Sequence, residues 1–382
     1  MKVLTVFGTR PEAIKLAPVL QRLAEAPSLI ESVVCVTGQH RQMLDQILRL
    51  FDIRPQHDLD IMLDGQDLFD ISVRTLAGMK RVLAAERPDV VLVQGDTTSA
   101  FLAGLASFYQ RIPVGHVEAG LRTGNRYDPF PEEMNRTLLT QVVTHHFAPT
   151  ARARQNVLDA GADPSGVHLT GNTVVDAIRA VVRMPAPPLP AALVRLDPDR
   201  RRLIVVTSHR RESFGVPMRN VFLAVRDVLA RHPDVVVVFP VHMNPNVRAA
   251  VDDTLGTHER LVLLEPLAYD SFAHLMRRAY LLLTDSGGVQ EEASALGKPV
   301  VVVRDTTERG ESVDAGVSIL AGRERGAVVA AIGRLLDDAA AYQAMTRAEC
   351  PYGDGHAAAR IVDLLVSEYA EGGERRRVAS GR

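Results

Sequence analysis

Acidic side chains follow short apolar runs in the first half of the chain. Asp96 comes after the run DVVLVQG, Glu118 lies in the run PVGHVEA, and Glu132 opens a segment of helical pattern. Ligands of open α/β sheets bind at the carboxyl ends of the strands, so acids at these positions are placed for chemistry. The structural alternative is that Asp96 caps a helix, and that Glu132 only interacts favourably with the dipole at a helix N-terminus.

In the second half of the chain, histidines and arginines follow the apolar runs, at the kind of position that acids take in the first half. His209 ends the run LIVVTSH and precedes Arg210, and His242 ends the run VVVVFPVH. A lone histidine is more often structural than catalytic. Two histidines beside arginines, at the ends of what we predict to be adjacent strands, favour an anionic ligand.

A glycine turn follows a third run of the second half, LLLTD. The segment Ser286–Gly288 opens a helix that carries Glu292, and three cations follow it: Lys298, Arg304 and Arg309. Glycines let the backbone approach a diphosphate, and a helix N-terminus supplies N–H donors. An acid one turn into the helix is placed to bind ribose hydroxyls. The alternative is a glycine turn capped by Ser286.

The first strand also runs into a turn that opens a helix, within Gly8–Lys15. Arg10 and Lys15 add positive charge to a helix N-terminus, which favours an anion. Read as structure alone, both are solvated residues of a helix end.

Some chemistries receive no support from the sequence. It contains no G-x-G-x-x-G after the first strand and no G-x-x-x-x-G-K-[ST], which are typical of dinucleotide redox cofactors and NTP hydrolysis. Asp58 and Asp60 form a D-x-D pair without nearby ligands, and Cys35 and Cys350 have no metal-ligand spacing. We therefore predict neither a cofactor nor a metal.

Apolar runs alternate with helix-length segments along the whole chain, which predicts parallel sheets covered on both faces. The proline-rich segment 184–190 divides two such series. We predict two doubly wound, Rossmann-like α/β domains, 1–184 and 185–356, that face a central cleft. A C-terminal helix of residues 357–371 is expected to pack back on the first domain, and 372–382 to be a disordered tail.

Composition narrows the classes of partner. The chain has 382 residues, 46% of them hydrophobic and 24% charged, with a formal net charge of -2. That charge offers no broad positive field for nucleic acid or an anionic membrane. No apolar stretch reaches the ~18 residues of a membrane helix, so we expect a cytoplasmic protein.

Motifs across the chain resemble those of one known family. In order they include GTRPEAIKLAP, GDTTS, PVGHVEAGLRT, FPEEMNR, HRRES, PVHMNPNVR, LTDSGGVQEEAS and PYGDG. The sequence resembles the bacterial non-hydrolysing UDP-N-acetylglucosamine 2-epimerases from residue 1 to about 365. The resemblance implies a GT-B type fold, a homodimer, interconversion of UDP-GlcNAc and UDP-ManNAc without a redox cofactor, and a place in polysaccharide biosynthesis.

The resemblance also implies roles for individual residues. The catalytic group it implies is Asp96, Glu118, Glu132 and His209. The UDP contacts it implies are Arg10, Ser286, Gly287, Glu292 and Arg309, with Gly288 and Lys15 as further candidates. A second, activating UDP-GlcNAc is expected to contact Gln39, Gln42, Glu132, Arg210 and His242.

The chain departs from the family pattern at four positions: Gly65 replaces a basic residue of the activator site, Gln94 a histidine, and Ser294 and Gly310 prolines. None of these removes a proposed catalytic group.

Three other functions remain open at this level. A GT-B glycosyltransferase shares the donor-nucleotide segment around Ser286–Gly288 but does not need an acid cluster in the first domain. A hydrolysing epimerase shares the elimination step and differs in its products. A UDP-sugar sensor would bind without turnover.

Overall fold

A computed structural model of the chain describes residues 1–38, 41–63, 65–198 and 200–370. The chain divides into two units: Met1–Ala177 together with the segment that begins at Tyr352, and Ile178–Pro351. The sequence places the first boundary at residue 184, whereas the structure places it before Ile178. The reason is that the linker residues 182–190 pack against a helix of the second unit.

The first unit contains a seven-stranded parallel sheet with the order β3-β2-β1-β4-β5-β6-β7. Its strands are β1 Lys2–Phe7, β2 Glu31–Val36, β3 His57–Asp58, β4 Val90–Gln94, β5 Val114–Val117, β6 His145–Ala148 and β7 Val167–Leu169. The edge strands β3 and β7 were not predicted. They are only two and three residues long and partly exposed, so they carry no apolar run.

Helices cover this sheet and lead into the second unit. They are α1 Arg10–Ala24, α2 Arg41–Leu50, α3 Leu68–Glu86, α4 Thr98–Tyr109, α5 Glu132–Thr140, α6 Ala151–Asp159 and α7 Thr173–Val181, with a 3₁₀ turn at Pro164–Gly166.

The second unit repeats the design with six parallel strands in the order β10-β9-β8-β11-β12-β13. Its strands are β8 Arg202–Thr207, β9 Val235–Pro240, β10 Leu261–Leu264, β11 Leu281–Thr284, β12 Val300–Val302 and β13 Ser318–Leu320. Its helices are α8 Ala191–Val194, α9 Val216–Arg231, α10 Pro245–Thr254, α11 Tyr269–Arg278, α12 Gly287–Ala295, α13 Gly310–Asp314, α14 Arg325–Asp337 and α15 Ala339–Arg347, with a 3₁₀ turn at Arg211–Ser213.

The last helix, α16 Ala357–Leu365, belongs to the first unit and continues as a π-helical turn, Val366–Ala370. The Asp176 carboxylate accepts from the backbone N–H groups of Ala357 at 3.3 Å and Ala358 at 3.0 Å. This side chain satisfies N–H groups that a helix leaves without partners at its start. The predicted tail, 372–382, lies outside the described residues.

Central strands of both sheets are buried on both faces, as in β4, where every residue is buried. Burying each large apolar side chain contributes about 1.5–3 kcal/mol, which accounts for the continuous Val and Leu runs. In each unit, strand order reverses beside the first strand, at β1/β4 and at β8/β11. The polar side chains of interest follow the carboxyl ends of strands next to these points. Across the described ranges, no helix is long and apolar enough to cross a membrane.

Candidate active site

Glu118 follows β5 and is the most enclosed acid of the proposed catalytic group, with a side chain that is 4% exposed. Lys15 Nζ donates to Oε1 at 2.5 Å and to Oε2 at 2.7 Å. Asn172 Nδ2 donates to Oε1 at 3.0 Å, and Gln94 Nε2 donates to Oε2. The carboxylate is therefore held by one cation and two amides, a set of donors that suits only its ionised form.

The backbone at Glu118 is also unusual. Its φ is 68°, in the left-handed region that a side chain other than glycine rarely adopts. Such a conformation costs about 1–2 kcal/mol and is retained where the surroundings over-determine it. The turn aims Glu118 back at Gln94, the last residue of the neighbouring strand β4.

Asp96 follows β4, and Arg136 Nε donates to its Oδ2 at 2.9 Å. It does not cap α4: the N-cap is Thr97, whose hydroxyl accepts from Ala100 N–H at 3.0 Å. The capping alternative is therefore wrong. The side chain of Asp96 is 31% exposed, so it is open to a ligand while fixed by α5. Asn135 Nδ2 donates to the Asp96 backbone carbonyl at 2.9 Å and ties the same helix to this turn.

Glu132 and Glu133 begin α5 but differ in their surroundings. Glu133 is 4% exposed and accepts from the N–H groups of Thr123 and Gly124, both at 3.1 Å, and from Arg136 Nη1 at 2.9 Å. It is a structural acid that holds the loop before the helix. Glu132 is half-buried and is the first residue of α5. It lies one turn before Asn135 and Arg136, which contact Asp96.

His116, two residues before Glu118, is fully buried. Its Nε2 donates to the carbonyl of Gly95 at 2.7 Å. Burial lowers the pKa of His116 to about 4, against the smaller opposing effect of the bond to Gly95. The imidazole is neutral at physiological pH and links the β5 end to the β4 turn.

The turn after β1 differs from the simple anion site that the sequence suggests. The N–H groups of Gly8 and Thr9 donate to Glu12 Oε2 at 2.9 and 2.7 Å, and Thr97 Oγ1 donates to Oε1 at 2.7 Å. The protein's own carboxylate thus occupies the first donors of α1. Arg10 is the first residue of that helix and is half-buried. Lys15, which we expect as a further UDP contact, also contacts Glu118.

In the second unit, a buried acid organises the end of β8. Asp285 follows β11, has no exposed surface, and accepts from the backbone N–H groups of His209 at 2.9 Å and Arg210 at 3.0 Å. Ser208 Oγ also donates to it, at 3.1 Å. No pattern in the sequence indicates that Asp285 contacts the segment 208–210. Asp285 was therefore not among the predicted site residues. It fixes the loop that presents His209.

His209 lies with Nδ1 3.3 Å from Asp285 Oδ1. Desolvation lowers the pKa of His209, the charge of Asp285 opposes this, and Arg210 adds to the lowering. The ring stacks on His242, with centroids 5.7 Å apart. The structure therefore brings the two predicted histidines together at adjacent strand ends.

The glycine turn after β11 contacts Arg309. The guanidinium lies 3.1–3.3 Å from the position that a Cβ on Gly287 would take, so glycine makes room for it. Arg309 Nε donates to Glu291 Oε1 at 2.9 Å. Ser286 is the N-cap of α12, with extended backbone and no side-chain capping bond. Nothing lies within 4 Å of a Cβ on Gly288, and Glu292 is 8% exposed on the same helix.

Glu308 joins the arginines of this turn and was not predicted. Arg304 Nη1 donates to its carboxylate at 2.7 Å, and Arg210 Nη1 and Arg309 Nη1 lie 3.7 and 3.9 Å away. Burial raises the pKa of Glu308, but the bond from Arg304 and the charges of Arg309 and Arg304 outweigh it and hold the pKa at about 2. Glu308 keeps the three arginines together, and Glu212 and Glu291 pair with them as well.

Comparison with known proteins identifies the family. The UDP-N-acetylglucosamine 2-epimerase family profile matches residues 21–366. An Escherichia coli K12 UDP-N-acetylglucosamine 2-epimerase is 52% identical over 371 residues, which cover 96% of this chain and 98% of that one. The chain belongs to this family.

Solved members of the 2-epimerase family share the fold. A Neisseria meningitidis UDP-GlcNAc 2-epimerase, solved bound to UDP-GlcNAc, superposes with a TM-score of 0.87 at 44% identity, covering 96% of this chain and 100% of that one. A Methanocaldococcus jannaschii relative, solved with UDP-GlcNAc and UDP, gives a TM-score of 0.79 at 30% identity, covering 96% and 100%. The prediction of doubly wound α/β domains of GT-B type is confirmed.

Part of the predicted second-ligand site cannot be placed. Gln39 lies outside the described residues, and so does the side chain of Gln42. Arg210 and His242 lie beside His209, and Gly65 has a φ of 73° with nothing near its Cβ position. In the part of the chain that the structure covers, no group of three or more His, Cys, Asp or Glu side chains is arranged to hold a metal ion.

Proposed function

We propose that this 2-epimerase family member interconverts UDP-GlcNAc and UDP-ManNAc at C2 and releases neither free sugar nor UDP as its product. The observation that carries the proposal is the division of charge within a family member: acids paired with cations at the strand ends of the first unit, and histidines and arginines around a glycine turn in the second. A reaction that separates UDP from a sugar needs both kinds of group. That relatives were solved with UDP-GlcNAc supports the choice of substrate.

The chemistry of C2 favours elimination. The C2 hydrogen is not beside a carbonyl, so a base alone cannot remove it readily. When the C1–O bond breaks and UDP takes the electron pair, removal of the C2 proton leaves a C1=C2 double bond, 2-acetamidoglucal. Re-addition of UDP to C1, with a proton delivered to the opposite face of C2, gives the epimer. Atoms and charge balance without an oxidant.

Asp96, Glu118 and Glu132 are assigned to the sugar. Positive charge that develops at C1 is stabilised by nearby carboxylates, and one of the acids takes the C2 proton. Glu118 suits a fixed negative charge, since three donors hold it ionised. Asp96 is more open, so its carboxylate is accessible to the C2 hydrogen of a bound sugar.

The leaving UDP is assigned to the second unit, together with Arg10. The contacts proposed for it are Arg10, Ser286, Gly287, Gly288, Glu292 and Arg309, with Glu292 on the ribose hydroxyls. Arg309 is held by Glu291 and by the room at Gly287, which orients its guanidinium for a diphosphate. His209 is proposed to assist departure of UDP, and Lys15 to act through Glu118 rather than on UDP directly.

Incubation with UDP-GlcNAc in heavy water, followed by proton NMR at C2, tests this function. Deuterium at C2 in nucleotide-linked GlcNAc and ManNAc is expected. Free ManNAc with UDP would instead indicate the hydrolysing epimerase, and transfer to an added acceptor would indicate a glycosyltransferase. Binding without any exchange would indicate a sensor, and retention of the original C2 hydrogen during epimerisation would refute elimination.

A homodimer and an activating second UDP-GlcNAc are proposed as well. Exposed apolar side chains on the first unit support the dimer, in particular Phe69 at 80% exposure and Val73 at 68%, one turn apart on α3. Light scattering of wild type and Phe69→Asp tests it: a monomeric variant supports this face, and an unchanged mass places the contact elsewhere. A sigmoidal rate against UDP-GlcNAc would support the activator. A cytoplasmic location and a role in polysaccharide biosynthesis stay predictions.

A further inference from the structure

We propose that the second unit carries an anion site, separate from the UDP turn, that binds a phosphate group in the cavity between α11 and the segment after α7. The cavity measures about 660 Å³, and its lining residues are Val182, Arg183, Met184, Ala186, His274, Arg277 and Arg278. That volume lies within the range of small-molecule sites. None of these lining residues is acidic.

The charges converge on one end of the unit. Arg277 and Arg278 stand in the last turn of α11, and Arg183 faces them from the neighbouring segment. Lys298 is close to this group: burial lowers its pKa, and the charge of Arg277 lowers it further. A guanidinium fork matches the oxygens of phosphate, so a cavity lined by three arginines favours an oxyanion.

Capping of helix carbonyls is the ordinary explanation for arginines at a helix end. It accounts for part of the cluster, since Arg277 Nη1 donates to the Val182 carbonyl at 2.8 Å. This uses one of the five N–H donors of that side chain. Capping gives no reason for Arg183 to line the same cavity from another segment.

His274 is the second, independent sign of a ligand. It lines the cavity, is only 7% exposed, and its Nε2 has no hydrogen-bond partner among the residues that the structure covers. A buried polar atom without a partner costs about 1–3 kcal/mol, so most such atoms in proteins are satisfied. Nε2 has almost no accessible surface, so the His274 ring must turn to place this atom on an oxyanion bound in the cavity.

The site differs in place from the proposed UDP contacts. α11 ends just before β11, and Lys298 precedes β12, so the cluster lies at the amino ends of these strands. The turn Ser286–Gly288 follows the carboxyl end of β11, at the opposite edge of the same sheet. A smaller pocket adjoins the cavity and shares Ala186, His274 and Arg278 with it. Its other walls include the apolar side chains Leu189, Leu267 and Leu275, which suit the organic part of a phosphate ester.

Calorimetric titration of the full chain with pyrophosphate, at low salt and with saturating UDP present, tests the site. Saturable binding that weakens as salt rises is expected. Arg183→Gln and Arg277→Gln should each weaken it by about tenfold or more, as charge-assisted bonds are lost. His274→Phe, which keeps a ring but removes the nitrogens, should also weaken it.

Arg231→Gln is the matched control. Arg231 is exposed in the last turn of α9 and does not line the cavity, so its loss removes the same charge from the same unit. Equal affinity in wild type, Arg183→Gln and Arg277→Gln would overturn the proposal, as would no saturable binding to wild type. An equal loss in Arg231→Gln would show unspecific attraction and overturn it too.

Titration in the presence and absence of UDP distinguishes a failure of this anion site from a failure of the proposed function. Pyrophosphate binding abolished by UDP would place the anion at the UDP turn and overturn the further site. If UDP itself fails to bind, the proposed function fails, and the arginine variants still decide the anion site. Phenyl phosphate and inorganic phosphate identify the source: tighter binding of phenyl phosphate indicates a phosphate ester, and tighter binding of pyrophosphate than of either indicates a free polyphosphate.

Discussion

Replacement of Glu118 by glutamine tests whether the negative charge of this buried carboxylate is needed for stability and for turnover. The change keeps the size of the side chain but leaves Lys15, 12% exposed, without its anionic partner. All three neighbours are donors, so the new amide NH₂ meets donors where the carboxylate had accepted bonds. Breaking a buried ion pair costs about 3–5 kcal/mol. Rotation of the Gln94 or Asn172 amide can recover part of this, and we expect a loss of about 3 kcal/mol.

Turnover should fall much further than UDP affinity in Glu118→Gln, because the acid is assigned to the sugar. The free energy of unfolding comes from urea titration, turnover from proton NMR of UDP-GlcNAc conversion, and UDP affinity from calorimetry. A loss of at least about 10²-fold in kcat, for a folded variant, is the expected size for a charge that stabilises the transition state.

Two further variants separate folding from chemistry. Lys15→Met combined with Glu118→Gln removes the cation that Glu118 had paired with, and it should regain stability without regaining turnover. Glu86→Gln breaks pairs with Lys2 at 3.1 Å and His57 at 2.6 Å near the start of β1, and should cost stability with turnover kept. Full turnover in Glu118→Gln, or equal losses of turnover and UDP affinity, would refute the assigned role.

Three more predictions follow from the second unit and from pH. His209→Ala should weaken both UDP affinity and turnover, since this ring, on the loop held by Asp285, is assigned to the diphosphate; calorimetry that finds unchanged UDP affinity would argue against that assignment. Gly287→Ala should displace the Arg309 guanidinium and weaken UDP binding by about tenfold, one charge-assisted bond, in the same assay, while Gly326→Ala on α14, where a Cβ also meets nothing within 4 Å, serves as its control. His116 has a pKa of about 4 in the folded protein and about 6.5 when unfolded, so the unfolded state binds more protons between these values. Its contribution to stability is therefore complete above pH 6.5 and falls by about 2 kcal/mol from pH 7 to 4.5; His116→Asn should flatten this fall in urea titrations, and an unchanged slope would contradict it.

The elements that position the site follow well from the sequence. Apolar runs predict eleven of the thirteen strands in the described residues, most of them central strands that must be apolar along their length because they are buried on both faces. The strands β3 and β7 escape this reasoning because β3 is two polar residues and β7 only three residues with one apolar side chain exposed, whereas β10 and β13, the edge strands of the second sheet, do carry apolar runs. The proline segment marks the domain boundary only approximately, because its packing against α11 is a tertiary contact.

The residue types at the strand ends also indicate where the candidate site lies. They do not show which side chains form hydrogen bonds or ion pairs with one another. Pattern and spacing bring Asp96 and Glu118 to one edge of a sheet, and the family resemblance adds their roles. The pairing of Glu118 with Lys15, 103 residues away, follows from no local pattern.

The sequence alone determined the two α/β series, the sheet edges that carry the candidate site residues and the charged residue types there, because these depend on periodicity and on the residues that end each run. Tertiary structure decided which acids are held and which stay open. It placed the Glu12 carboxylate on N–H groups of the Gly8 turn and the Asp285 carboxylate on N–H groups of the His209 loop, and it left Asp96 partly exposed. Such choices depend on distances between segments far apart in the chain, and on the free energy of burying charge, which only the packed structure sets.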